Sequence, residues 1–154
     1  MAKTLRDIPT FTKQFWKGVG DEVSDQIRVH TTKGGKDVEG RNFEPYKPTY
    51  KARKGLGKYK RQSSTSTKVD LQLTGDMMRN LQTRGFTKDS VVVGWSGTNA
   101  QKIQWNADMG RTVTSKQRPV SKGIERFIFK EVDLAIARNA KEATSKPINL
   151  KIGK

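Results

Sequence analysis

Each end of the chain carries a helical apolar stripe with nothing of its own to lie on. Ile8, Phe11, Phe15, Val19, Val23 and Ile27 recur at steps of three and four, the spacing of one helix face. Ile124, Phe127, Ile128, Val132, Ile136 and Ala140 repeat that pattern far along the chain. Neither stripe can leave water unless another layer covers it, so the residues between must supply one. The spacing predicts a first helix over about 8–29, capped by Asp7 or Thr10, with Pro9 in its first turn and "TTKGGK" as its end. Gly18 and Gly20 weaken its middle by about 1 kcal/mol each relative to Ala. Ser121 caps the last helix, Pro147 ends it, and a flexible tail is expected over about 145–154.

The middle of the chain reads as short elements. "VDLQL" alternates apolar and polar from Val69 to Leu73, which predicts a strand, and the β-branched run "SVVVGW" (90–95) predicts a second, buried one. "TGDMMRNL" starts a short helix, with Thr74 as cap, Asp76 at its positive end, and Met77 and Leu81 on one face. "TNAQKIQWNADMG" gives another, with Ile103, Ala107 and Trp105 or Met109 as its apolar positions and Gly110 as its stop. "RTVTSKQRP" is a polar strand or loop. The expected fold class is α+β: two long amphipathic helices packed on a small, mainly antiparallel sheet. One domain over 1–154 accommodates all of it.

Residues 34–68 do not fit this scheme. They have little apolar periodicity, hold Pro45 and Pro48, and end in the polar run "QSSTSTK". The expectation is a long extended basic arm, mobile in the free protein. The chain has a formal net charge of +16, and residues 41–68 hold nine bases against one acid, half of that excess. Seven bases fall within 47–61, "KPTYKARKGLGKYKR", with no acid among them. Charge so concentrated points to an acidic partner. Tyr46, Tyr50 and Tyr59 are interleaved with Lys47, Lys51, Arg53, Lys54, Lys58, Lys60 and Arg61. Three readings stand: these bases neutralise nucleic-acid phosphates while the tyrosines stack; they form a solvated charged loop; or they belong to an assembly arm that orders across a neighbouring subunit. The tyrosines and prolines favour an arm that binds something.

Several chemistries lack their residues. There is no cysteine, which excludes disulfides, thiolate zinc sites and cysteine nucleophiles. No apolar run approaches the roughly 18–20 residues of a membrane span, and the N-terminus has no apolar signal-peptide region, so a soluble, untargeted protein is expected. His30, the one histidine, reads as a solvated helix-end residue, and no serine sits in a "GxSxG" context. Asp70 and Asp76 flank "LTG" as a strand end and a helix-start charge. "KGLGK" lacks the phosphate-cradling spacing and is a flexible turn. No catalytic residue, cofactor or metal site is assigned, and an enzyme is not expected.

The run "GRNFEPYKPTYKARK…KVDLQLTGDMMRNL" resembles the neck or tail-completion (virion morphogenesis) proteins of tailed bacteriophages. The likeness is carried by Gly40, Phe43, Pro45-Tyr46, Tyr50, Lys51 and Arg53, then Leu73-Thr74-Gly75-Asp76-Met77 and Asn80-Leu81. "VVVGW", "AQKIQWNADMG" and Arg118-Pro119 follow in the family's order, so that the likeness covers about residues 8–140. The resemblance implies a virion protein, made in the host cytoplasm, that joins head to tail without catalysis. It implies a ring homo-oligomer, hexamer or dodecamer, whose arm grips other neck, connector and tail proteins, with non-specific DNA contact as a side role and no membrane partner. The alternative is a small non-specific nucleic-acid-binding protein that uses the basic 47–61 segment.

Overall fold

The computed structural model describes residues 11–54, 69–72 and 74–145. Its first helix, α1 (Lys13–Thr32), starts where the Thr12 hydroxyl accepts the Phe15 N–H at 3.0 Å. The caps expected at Asp7 or Thr10 lie outside the described residues. The helix runs three residues past the expected end, because buried Thr31 continues the face of Val19, Val23 and Ile27. Past its C-cap Lys33 the chain turns away at Gly35, whose N–H bonds the Thr31 carbonyl and whose positive φ of 62° suits a residue without a side chain. A second, short helix, α2 (Pro48–Lys54), follows in the basic segment.

The face of α1 carries a two-stranded antiparallel hairpin, β1 (Gln82–Phe86) and β2 (Val91–Gly94). Thr83 pairs with Val93 and Gly85 with Val92, so Arg84 is the extra residue of a bulge. A hairpin alone is marginal in water, and α1 holds this one through both packing and polar contacts. The Trp16 indole donates to the Lys88 carbonyl at 2.9 Å, and the Thr83 hydroxyl donates to Asp21 at 2.7 Å. Gly20 sets the closeness. A Cβ there would run into Val91 Cγ2 and the Thr83 hydroxyl, whereas Gly18, one face round, has open space. The two glycines that looked like equal weaknesses are therefore not equivalent.

Preceding β1 is the four-residue α3 (Asp76–Arg79), whose cap is Gly75 at φ 80° rather than Thr74. Thr74 instead bonds the Asp76 carboxylate at 2.7 Å. Met77, Met78 and Leu81 are buried, and Arg28 on α1 donates to the carbonyls of Met78 and Leu81, tying the two helices together. After β2 come α4 (Thr98–Asp108), which Gly110 ends at φ 74°, and α5 (Lys122–Ser145). Ser121 accepts the Ile124 N–H at the start of α5. Pro147 and residues 146–154 lie outside the described residues. One core cluster runs from Val19 through Phe43, Val69 and Leu81 to Ile124. The class is α+β.

Four expectations change. No strand forms at 69–72, and Leu73 lies outside the described residues. Val69 and Leu71 are buried as the alternation implied, but so is Asp70 between them, and Leu71 takes a positive φ of 54°. A segment buried on both sides, with its backbone bonded to side chains, has no edge for a partner strand. The first strand is instead the polar "QTRGF". The second is in place but half-exposed, with Val92 59% open. On α5, Ile124 is buried and Phe127 and Ile128 pack on the core, yet Ile136 faces solvent, because Ala135 takes the inward position.

Candidate interaction surface

An extended arm is not what residues 34–54 form. Lys36 bridges Asn42 around a turn held by Asp37, whose carboxylate accepts the Glu39 and Arg41 N–H groups and the Arg41 side chain at 2.8–2.9 Å. Phe43 then enters the core. Residues Pro48–Lys54 wind into α2, started by a proline that needs no N–H partner there.

What seats α2 is a buried ion pair. Lys54 meets Asp70, and both side chains are fully buried. Asp70 also accepts the Gln72 N–H at 3.0 Å. Beside the pair, the Tyr46 hydroxyl accepts the Leu71 N–H at 2.9 Å. Its ring lies 4.7 Å from the Lys54 ammonium and 5.0 Å from the Arg111 guanidinium, both cation–π distances. Arg111, buried in turn, donates to the carbonyls of Glu44 and Pro45 at 2.8 and 2.7 Å and so fixes the approach to α2. Burial, aided by the Asp70 charge, pushes the Tyr46 phenol far above its ordinary pKa and raises Tyr50 for the same reasons.

The ten residues singled out in the sequence therefore divide. Tyr46 and Tyr50 stack in a tilted pair with centroids 4.7 Å apart, half-buried. Lys47, Lys51 and Arg53 are exposed. Lys54 is a correction: its charge is consumed by Asp70 and never reaches the surface. Asp70, likewise, is no strand end but the counter-ion that folds the segment back. Lys58, Tyr59, Lys60 and Arg61 lie outside the described residues. His30 is half-buried rather than solvated, with Nε2 2.9 Å from the Asp37 carbonyl. The sequence carries no signal for the Lys54–Asp70 pairing across sixteen positions, nor for Arg111, because side-chain pairs between irregular segments follow no period.

Between α2, Leu71, Thr74–Met77 and α4 opens a cavity of about 740 Å³. Tyr46, Tyr50, Leu71, Met77 and Met109 give it an apolar lining, with Lys47 and Lys102 at its edge. It falls in the size range of binding pockets. Among the described residues no three His, Asp or Glu side chains converge as metal ligands would, and no helix is long and apolar enough to cross a membrane. No protein-family model, curated protein or solved structure matches the chain.

Proposed function

We propose that the chain is a structural virion subunit of a tailed phage. In this reading six or twelve copies form a ring at the head–tail junction, joining head to tail as a neck or tail-completion protein among connector and tail proteins. The observation that carries the reading is α5. Its 24 residues extend about 36 Å, with Ile124, Phe127, Ile128 and Ala135 turned inward. Phe129, Leu134 and Ile136 stay 61%, 45% and 47% exposed. Single exposed apolar residues are ordinary, but several along one helix are the mark of a surface meant to be covered. The described part of the basic segment agrees, since α2 is pinned into the body by Lys54 instead of hanging free to wrap a duplex. The sequence resemblance supplies the place in the virion.

The net charge of +16 and the exposed Lys47, Lys51 and Arg53 support the second reading, a non-specific nucleic-acid binder. One experiment separates the two. Duplex-DNA binding is measured at about 150 mM salt, where merely basic proteins release DNA, alongside negative-stain imaging of the full chain. The comparison variant carries Gln at 47, 51, 53, 58, 60 and 61 and keeps Lys54. Ring particles without appreciable DNA binding are expected. Sub-micromolar binding that disappears in the variant overturns the ring reading.

A further inference from the structure

The cavity beside α2 and the outer face of α5 carry matching chemistry and share no residue. The cavity's lining includes two methionines, Met77 and Met109, whose flexible thioethers adapt to irregular partners. Lys47 and Lys102 at its edge are exposed, and neither is in an ion pair among the described residues. Glu44 is the one acid in the lining described.

On α5, Glu125, Phe129, Asp133 and Ile136 follow one another at steps of four, four and three, so they form one ridge. All four are exposed. Neither Glu125 nor Asp133 is in an ion pair among the described residues. The ridge is about 16 Å long, with an aromatic between two carboxylates. It presents two carboxylates to a lining with Lys47 and Lys102, and an aromatic ring to a lining that is apolar.

We infer that the α5 ridge of one copy docks in the α2–α4 cavity of the next. Phe129 enters the apolar lining, while Glu125 and Asp133 meet Lys47 and Lys102. The inference rests on the ring reading and names the contact that closes the ring. The two patches are different surfaces of one chain, so the contact is head-to-tail. Such contacts propagate and close into a ring when the rotation allows, whereas a self-complementary patch stops at a dimer. An apolar helix face laid in a groove is a recurrent mode of recognition. The occupant is a second copy, because the required ridge is present on this chain.

The test uses the full chain with ¹³C-labelled methionine methyls and sedimentation in parallel. The signal of buried Met78 serves as the control. As protein concentration rises to about 1 mM, the Met77 and Met109 signals should move and the mass should pass that of a dimer. Phe129→Glu and Met109→Glu should each weaken association at least about tenfold. Both side chains are at least half-exposed, so folding should survive, and circular dichroism checks that. Mixed one-to-one, the two variants should form a dimer that grows no further, since the mixture holds one intact ridge and one intact cavity. Assembly that neither substitution alters overturns this contact and leaves the ring reading standing. Methyl signals that move equally in Phe129→Glu show another occupant and also overturn it. No association at about 1 mM overturns the contact, and duplex binding in the DNA assay then removes the ring reading separately.

Discussion

Replacing Lys54 with Met tests whether the basic segment is part of the body or an appendage. The substitution keeps the length of the aliphatic stem and removes the ammonium, leaving the fully buried Asp70 carboxylate facing a thioether. Breaking a buried pair from one side costs about 3–5 kcal/mol, because the remaining charge loses its buried counter-charge. The cation over the Tyr46 ring at 4.7 Å is lost as well. A domain's whole stability is about 5–15 kcal/mol, so the variant should be severely weakened. Urea unfolding followed by fluorescence of Trp16, Trp95 and Trp105 gives the readout. With a slope of about 2 kcal/mol per M, the midpoint should fall by about 1.5–2.5 M. The double variant Lys54→Met, Asp70→Asn should recover most of this, since the amide oxygen introduced there still accepts the Gln72 N–H. The full cycle should give a coupling of about 2 kcal/mol or more. A single-variant shift under about 0.5 M would refute the reasoning, because it would mean that α2 is not docked through this pair.

Gly18 and Gly20, neighbours on α1, should respond to alanine with opposite signs. Gly18→Ala, in open space, should stabilise by about 0.5–1 kcal/mol from helix propensity alone, raising the urea midpoint. Gly20→Ala meets Val91 and Thr83, and overpacking of about 1–3 kcal/mol should outweigh that gain and lower the midpoint. Alkaline pH gives another check. The Tyr46 phenol ionises well above its ordinary value when folded, so its contribution is fully present below the unfolded pKa near 10 and is lost as pH rises toward the folded one. Stability should therefore decline above about pH 10, and Tyr46→Phe should flatten that decline. The same variant should cost about 1–3 kcal/mol at neutral pH, because the Leu71 N–H loses its acceptor.

How much of this was readable beforehand depended on periodicity. The stripe of α1 and the first turns of α5 were legible because burial of Val19, Val23, Ile27 and Ile124 follows the helical repeat. Gly110 was legible as a helix stop because backbone geometry there demands a missing side chain. The hairpin was half-legible: "VVVGW" announced β2, while β1 is too polar to stand out and owes its place to α1. Residues 34–54 misled because Pro45, Pro48 and dense charge look like a solvated arm. What folds them is Asp70, Tyr46 and Arg111 acting across 16 to 67 positions, and pairings at such distances leave no local trace. Lys54 consequently resembles the other cations of 47–61 only in type. Its neighbours Lys47, Lys51 and Arg53 kept their surface positions.

The Lys54–Asp70 pair also has a consequence for how such a chain can vary. It brings positions sixteen apart to one point where both charges are buried. Changing one position alone removes the counter-charge of the other, whereas exchanging both for a well-packed apolar pair is often neutral or stabilising. Positions 54 and 70 are therefore bound to change together: such a chain passes from ion pair to apolar contact only by a double step, and the single step between is the weak point of that route.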